Sequence, residues 1–97
     1  MPKRIDANQS EIVRELRKRG CSVQSLAGVG KGCPDLLVGR SGVNVLLEVK
    51  DGSKPPSARR LTEAQVEWHD AWNGKASIVC NVSEALAAVG IDVKGGM

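Results

Sequence analysis

The chain has 97 residues, of which 41% are hydrophobic and 26% are charged, with two Trp and no Phe or Tyr. Such a chain forms one small globular domain packed mainly with aliphatic side chains, and its composition argues against disorder. Three Cys without a CxxC spacing and a single His argue against a disulfide framework and a structural zinc site, so we expect reduced thiols.

Positive charge is concentrated in the first part of the chain. Residues 1–60 contain twelve Lys and Arg against six Asp and Glu, whereas residues 61–97 contain two against five. A basic field of this size suits a polyanionic partner such as nucleic acid, although basic helices also occur in proteins without such a partner. The apolar runs are too short for a membrane-spanning helix or a signal region, so we expect a cytoplasmic protein without membrane contact.

The predicted elements follow the order α-β-β-β-α-β-α. They are a helix over 5–19, strands over 21–27, 36–38 and 43–50, a helix capped by Thr62, a strand over 75–82 and a short helix over 84–89 capped by Ser83. Residues 51–60, with two prolines, are predicted to form a surface loop, and residues 91–97 a frayed tail. The strand-helix-strand step in the second half predicts that its two strands are parallel.

One face of the first helix is apolar, with Ile5, Ile12 and Leu16 at helical spacing, and Gly20 ends the helix. Gln9 lies on the same face. A polar amide at this position is either a boundary residue of the core or part of the wall of a site.

The second helix begins with a capping-box pattern, in which Thr62 is followed three residues later by Gln65. Trp68 and Trp72 form an i, i+4 pair on this helix, which suits either the core or a dimer surface. We expect at least one of the two in the core. His69 is more typical of a packing or surface residue than of a general base.

Charged side chains interrupt two apolar strands. In the third strand the aliphatic positions share the face that we expect in the core: Val43, Val45, Leu47 and Val49. Glu48 and Lys50 lie on the opposite face. In the second strand Leu36 and Val38 point to the core, which leaves Asp35 on the other side. Asp35, Glu48 and Lys50 are therefore predicted to share one face.

The length of the turn decides whether Asp35 meets Glu48. If Ser41 and Gly42 form a two-residue hairpin turn, Asp35 falls directly opposite Glu48. A four-residue loop over 39–42 would place Asp35 diagonal to Glu48 on the same face, and only an odd loop without a bulge would separate them. Two carboxylates whose Cβ atoms are ~5 Å or ~7–8 Å apart repel each other unless a cation lies between them.

Two acids and a lysine on one face suit phosphodiester hydrolysis with a hard divalent cation. Carboxylate oxygens are preferred ligands of Mg²⁺. The cation would activate water and neutralise charge, and Lys50 would stabilise the negative transition state. The alternative is that Asp35 and Glu48 are solvated strand ends with Lys50 as a salt-bridge partner.

Pro34 and Asp35, followed after twelve residues by Glu48, Val49 and Lys50, resemble the PD-(D/E)xK nuclease signature. The wider sequence resembles the VRR-NUC (virus-type replication-repair nuclease) family over about residues 6 to 82, through “GKGCPDLLVG”, “LLEVKDG”, “SARRLTEAQVEWH” and a first helix that ends at a glycine. Standalone members are small phage and bacterial proteins. The resemblance implies metal-dependent, structure-directed cleavage of DNA, including resolution of Holliday junctions by homodimers.

The resemblance assigns roles to individual residues. Asp35 and Glu48 become metal ligands together with the backbone carbonyl of Val49, and Lys50 becomes the catalytic lysine. Gln65 matches the family's glutamine near the active site, and its capping role is an equally good structural explanation. The metal implied is Mg²⁺ or Mn²⁺.

The family also has an acidic residue on the first helix, for which this sequence offers Gln9, Asp6 and Glu11. Glu11 is the obvious acid but lies off the apolar stripe. Alignment to the family pattern favours Asp6 for the acid and Gln9 for the family's helix-one glutamine. If none of the three reaches the metal, the site has only two carboxylates.

Four basic residues flank the motif in loop segments: Lys31, Lys54, Arg59 and Arg60. They are candidate contacts to DNA phosphates or ordinary solvated charges.

The residues and the resemblance together predict an α/β fold of the restriction-endonuclease-like PD-(D/E)xK type, with a mixed sheet flanked by helices. We expect a single domain over 1–97, with a core over about 6–90. The expected function is a Mg²⁺- or Mn²⁺-dependent endodeoxyribonuclease for branched or duplex DNA, acting as a homodimer in the cytoplasm of a bacterial cell or phage host. The alternatives are a restriction- or transposition-type nuclease and a non-catalytic DNA-binding module on the same fold.

Overall fold

A mixed four-stranded sheet with the order β1-β2-β3-β4 organises the computed structural model, which describes residues 7–92. The elements are α1 (Ala7–Lys18), β1 (Ser22–Ser25), β2 (Leu36–Arg40), β3 (Val43–Val49), α2 (Glu63–Ala71), β4 (Ala76–Val79) and α3 (Val82–Ala88). The predicted order and the α/β class are confirmed. Strand β3 pairs antiparallel with β2 and parallel with β4, as the strand-helix-strand step predicts. The predicted loop 51–60 contains one 3-10 turn, Pro56–Arg59.

The turn between β2 and β3 consists of Ser41 and Gly42 alone. Both residues have a positive φ, 51° and 80°, as a type I′ hairpin turn requires. Of the turn lengths left open by the sequence, the structure contains the two-residue turn. The same register, continued beyond the start of β2, brings Asp35 to the level of Glu48.

The hydrophobic core lies on one face of the sheet, beneath α1 and α3. Its buried members are Ile12, Leu16, Cys21, Leu36, Val38, Val45, Leu47, Val49, Val79, Ala85, Leu86 and Val89. Alternate residues of β2 and β3 belong to this set, as the strand periodicity predicts. The assignment of Val43 to the core was wrong: it is 56% exposed, because it begins β3 next to the turn, at the margin of the layer that the helices cover.

Helix α3 begins two residues earlier than predicted, because Asn81 and not Ser83 is its N-cap. The side chain of Asn81 accepts a hydrogen bond from the amide of Glu84 at 2.8 Å, which satisfies a free donor of the first turn. At the other end of the helix, Ile91 donates its amide to the carbonyl of Leu86 at 2.9 Å and packs against the core, so it does not belong to a frayed tail. Residues 93–97 lie outside the described residues.

Helix α2 lies over the sheet face opposite the core and has no fully buried residue. Trp68 and Trp72 stack on each other with ring centroids 4.7 Å apart, and Trp72 is 47% exposed. The expectation that one Trp belongs to the core was wrong, because α2 packs on the other side of the sheet. His69 packs edge-on against Trp68 at 5.3 Å. Among the helices within residues 7–92, none has both the length and the apolar character needed to span a membrane.

Candidate active site

The candidate site lies at the end of the sheet where the parallel strands β3 and β4 finish. Lys50 and Cys80 directly follow these strands, and their carbonyl oxygens both accept hydrogen bonds from the side-chain amide of Asn8, at 2.9 and 3.1 Å. Ligand sites of open α/β sheets lie beyond the carboxyl ends of the strands. Asn8 thus ties the start of α1 to the two strand ends at which such a site is expected.

Asp35 is held in place through both its backbone and its side chain. Its amide donates to the carbonyl of Leu47 at 3.0 Å, and its carbonyl accepts from the amide of Leu26 at 2.8 Å. Its Oδ2 accepts a hydrogen bond from the amide of Val49 at 2.8 Å. The carboxylate is therefore fixed against the end of β3, beside Glu48.

Glu48 is almost completely buried, with 2% exposure, because α2 covers this part of the sheet. Its Oε2 accepts a hydrogen bond from Nε2 of Gln65 at 3.2 Å and lies 3.8 Å from Nζ of Lys50. Its Oε1 is buried and has no hydrogen-bond partner among the described residues. This burial excludes the alternative in which Glu48 is a solvated strand end. A buried, unpaired carboxylate oxygen is unfavourable unless a proton or a cation satisfies it.

Burial, followed by the neighbouring negative charge of Asp35, raises the pKa of Glu48 to about 8. The positive charge of Lys50 opposes this shift without cancelling it. The carboxyl group of Glu48 is therefore mostly protonated at neutral pH unless a second positive charge is present. The adjacent carboxyl groups of Asp35 and Glu48 fit a hard divalent cation such as Mg²⁺ or Mn²⁺. Such a cation would supply the second positive charge and favour the ionised form of Glu48.

Side chains beyond these two acids do not complete a conventional cluster in the described part of the chain. Within residues 7–92, no group of three or more His, Cys, Asp or Glu side chains is arranged to hold a metal ion. Mg²⁺ is often bound through one or two carboxylates, with water completing its shell. Two carboxylates, Asp35 and Glu48, fall within the number of protein ligands that Mg²⁺ uses.

Gln65 joins the lysine of the site to one of the acids. Its Oε1 accepts a hydrogen bond from Nζ of Lys50 at 2.9 Å, while its Nε2 donates to Glu48. The same Oε1 accepts from the amide of Thr62, whose hydroxyl accepts from the amide of Gln65 at 3.2 Å. The predicted capping box is therefore present, and its glutamine also reaches the site.

A close backbone contact holds α2 over the site. Gly32 has a φ of 82°, and a Cβ atom at this position would overlap the carbonyl oxygen of Ala64 in the first turn of α2. Only glycine allows the loop before β2 to approach the helix so closely. The contact positions the first turn of α2, and with it Gln65, above β3.

Two residues of this region were not among the predicted site residues. Cys33 is half-buried near the acids, and burial followed by the negative charges of Glu48 and Asp35 raises its pKa. Its position two residues before Asp35 was a usable signal, because alternate residues of an extended segment share a face. Asn8 carried no such signal, since a polar residue in the first turn of a helix is ordinarily a surface residue.

Of the three residues predicted as site residues on the first helix, the structure describes Gln9 and Glu11. Gln9 is half-buried in a groove between α1 and β1, Glu11 is exposed, and Asp6 lies outside the described residues. The observed contact from α1 to the backbone of the site comes from Asn8. The helix-one assignments and the carbonyl of Val49 as a ligand stay predictions.

The four predicted DNA contacts are found in the loops that flank the site. Lys31, Lys54 and Arg60 are exposed, and Arg59 is half-buried, with its Nε donating to the carbonyl of Lys54 at 2.7 Å. Their role in DNA binding stays a prediction.

Comparison with solved structures identifies the fold. A structure described as a “VRR_NUC domain” matches with a TM-score of 0.60 and 24% sequence identity, over 84% of this chain and 88% of that chain. The chain has a VRR-NUC fold. No protein-family model and no curated protein matches the sequence. The predicted α/β fold with a mixed sheet flanked by helices is thus confirmed, and within this VRR-NUC fold the β2–β3 hairpin carries Glu48 and leads from Asp35.

The raised pKa of Glu48 predicts how the stability of the metal-free VRR-NUC fold depends on pH. Between the ordinary pKa of 4.5 and about 8, the unfolded chain releases this proton while the folded chain keeps it. The free energy of unfolding should therefore fall as pH rises from about 5 to about 8, by up to roughly 4 kcal/mol from this group. Urea denaturation in EDTA at several pH values would measure the change.

The matched variant for this prediction is Glu48→Gln, which has no proton to release. It should be more stable than the wild type in EDTA at pH 8 and should lose most of the pH dependence between 5 and 8. Identical pH profiles for the two proteins would contradict the raised pKa.

Proposed function

We propose that this chain is a Mg²⁺- or Mn²⁺-dependent endonuclease that hydrolyses phosphodiester bonds of DNA. The observation that carries the proposal is the buried Glu48, whose Oε1 has no hydrogen-bond partner among the described residues and whose neighbour is a second carboxylate, Asp35. The VRR-NUC fold supports the proposal, because the sequence resemblance to that family implies DNA cleavage. A DNA-binding surface without catalysis has no need for two adjacent acids, which repel the phosphate backbone.

Asp35, Glu48 and the backbone carbonyl of Val49 would hold the divalent cation. When bound, such a cation activates a water molecule and neutralises charge on the phosphate. All three donors are oxygens, which suit Mg²⁺ and Mn²⁺ better than cations that prefer sulfur or imidazole ligands.

Lys50 supplies the positive charge for the transition state. Its ammonium group is held by Gln65 and lies 3.8 Å from Glu48, so it borders the acids with a fixed geometry. A positive charge that is already positioned beside the phosphate where negative charge develops lowers the activation barrier of cleavage, because the protein does not have to rearrange during the reaction. Gln65 acts as a positioning residue, because it fixes both Lys50 and one oxygen of Glu48.

We further propose branched DNA, including Holliday junctions, as the substrate and a homodimer as the active form. The described chain contains one such pair of acids, whereas resolution of a junction requires two cuts, which a symmetric dimer provides. An apolar surface is available for the second copy, because Val29 is 60% and Trp72 is 47% exposed. Phosphates around the cut would be bound by Lys31, Lys54, Arg59 and Arg60.

The test is a cleavage assay on a four-way junction, a flap and a linear duplex of the same sequence, each with Mg²⁺, Mn²⁺ or EDTA. Wild-type protein should cut in the presence of either metal, and Lys50→Ala should reduce the single-turnover rate by about 10²- to 10³-fold. Lys75→Ala is the matched control, since it removes an exposed lysine at the opposite end of the sheet, directly before β4.

Equal rates for Lys50→Ala and Lys75→Ala would disprove the role of Lys50. Binding of the same DNA without cleavage at any metal would instead favour a non-catalytic DNA-binding module. Sedimentation of the protein at assay concentration would test the homodimer, and a monomer that cuts both strands of a junction would contradict it.

A further inference from the structure

A groove of about 450 Å³ runs between α1 and the edge strand β1, on the core side of the sheet. Its floor is apolar and is formed by Val13, Val23 and Leu36, and its wall along α1 includes Arg14 and Arg17. We refer to it as the α1–β1 groove. A groove with an apolar floor and two arginines suits an anionic ligand that also presents apolar surface.

The α1–β1 groove begins next to the candidate site on two separate elements. Leu36 of its floor directly follows Asp35, and Gln9 of its wall directly follows Asn8, which binds the backbone carbonyl of Lys50. The acids and the groove therefore share this end of the sheet but lie on opposite faces, the acids under α2 and the groove beside α1, so that a nucleic-acid strand that contacts both must cross the end of the sheet.

A second basic segment lies on the other side of the site. The connector after β3 begins at Gly52, which packs against Cys80 at the end of β4, and it carries Lys54 and Arg59. The acids therefore lie between a basic connector on the β4 side of the sheet and the α1–β1 groove on the β1 side. A nucleic-acid strand that crosses this end of the sheet would meet positive charge on both sides of the cut.

The basic residues of α1 differ in whether a carboxylate pairs with them. Lys18 and Arg19 both pair with Glu15, at 3.6 and 2.6 Å. Arg14 forms no ion pair within the described residues, and Arg17 donates one hydrogen bond from its Nη2 to the carbonyl of Val23 at 3.0 Å, which is a neutral partner. Within the described residues, no carboxylate therefore pairs with either groove arginine. Each guanidinium retains further N–H donors for a phosphate.

We propose that the α1–β1 groove binds the DNA backbone on one side of the cleaved bond, with Arg14 and Arg17 on phosphates and the apolar floor beneath the sugars. Ser10 and Ser25 at the rim supply hydroxyl donors of the kind that contact phosphates. The proposal rests on the proposed nuclease function and extends it, because it adds a binding subsite on a different face from the acids and from the loop lysines.

The test compares two double variants that each remove two positive charges from α1. Arg14→Ala/Arg17→Ala removes both positive charges from the groove wall, whereas Lys18→Ala/Arg19→Ala removes the two charges that pair with Glu15. Binding of labelled duplex and single-stranded DNA is measured by fluorescence anisotropy in EDTA over a range of salt concentrations. The groove variant should reduce the slope of log K against log salt by about 1.8 for duplex and about 1.4 for single-stranded DNA, and the control by less than half of this.

Arg17 also has a structural contact, so single variants of Arg14 separate charge from folding. Arg14→Ala leaves the bond from Arg17 to Val23 intact and should reduce the duplex slope by about 0.9, whereas Arg14→Lys should restore it. Thermal melting should show the same stability for both. A loss that Arg14→Lys does not restore would overturn the assignment of Arg14 to a phosphate.

Two outcomes distinguish failure of this inference from failure of the proposed function. If wild-type protein cuts DNA with Mg²⁺ or Mn²⁺ but both double variants have the same slope, the groove does not bind DNA and the nuclease function stands. If the wild type neither binds nor cuts DNA, both proposals fail. A change in sedimentation confined to the groove variant, with unchanged DNA binding, would show a contact between copies and would also overturn the inference.

Discussion

Replacing Glu48 with glutamine should abolish DNA cleavage while the protein still folds and binds DNA. Glutamine preserves the size of the side chain and an oxygen for the hydrogen bond from Gln65, but it removes the charge that would hold a cation at the buried Oε1. A metal ion contributes several kcal/mol to stabilisation of the transition state, so we expect a decrease of at least about 10³-fold in the single-turnover rate. The rate is measured with saturating enzyme in Mn²⁺ and in Mg²⁺.

Two further variants make this result specific. Asp35→Asn should show a similar loss, because it removes the second acid of the pair. Glu67→Gln removes one acid from the exposed surface of α2 and should cut at the wild-type rate. Cleavage by Glu48→Gln within about tenfold of the wild type would rule out Glu48 as a metal ligand.

Replacing Gly32 with alanine should strongly destabilise the fold and displace α2 from the site. The added Cβ would overlap the carbonyl oxygen of Ala64 and lie 2.5 Å from its carbonyl carbon, and alanine is strained at a φ of 82°. Backbone strain and overpacking together should lower the free energy of unfolding by about 3 kcal/mol, which corresponds to a decrease in Tm of roughly 10–20 °C. Thermal unfolding followed by circular dichroism measures the effect.

The matched control is Gly28→Ala in the same loop. A Cβ at Gly28 has no atom within 4 Å, so this variant should melt close to the wild type. At temperatures where Gly32→Ala remains folded, its cleavage rate should still be reduced, since Gln65 moves together with the first turn of α2. Equal Tm values for the two variants would show that the loop does not hold α2 in place.

The β2–β3 hairpin could be predicted from the sequence because independent local rules agree there. Side-chain alternation assigns Asp35 and Glu48 to one face, and the Ser41–Gly42 pair favours a two-residue turn that brings them to the same level. The observed turn follows both rules. The capping box of Thr62 and Gln65 is equally local, and it too was predicted from a short spacing.

The burial of Glu48 could not be predicted, because alternation assigns a face without saying what covers it. The cover depends on the contact of Gly32 with Ala64, between segments far apart in the sequence. The same limitation explains the wrong expectation for Trp68 and Trp72, whose spacing describes a helix face but not the side of the sheet on which the helix packs. The position of α2 is thus a tertiary property.

The contribution of α1 to the site also could not be predicted from local sequence patterns. The family resemblance predicted a site residue on the first helix among Asp6, Gln9 and Glu11, whereas the observed contact comes from a neutral amide, Asn8, that bridges the carbonyls after β3 and β4. Such a bridge depends on the parallel pairing of two strands and on the position of the helix above them.

Cation binding by the purified protein tests the central claim most directly. Calorimetric titration with Mn²⁺ at pH 8, without DNA, should show saturable binding to the wild type that Mg²⁺ competes with and that releases protons, because the pKa of Glu48 is raised. Glu48→Gln and Asp35→Asn should each weaken this binding at least about tenfold, because loss of a residue that only supports a metal ligand already costs about that factor, whereas Lys50→Ala should retain it. Equal Mn²⁺ affinity in the wild type and in Glu48→Gln would contradict a metal site built on the two acids.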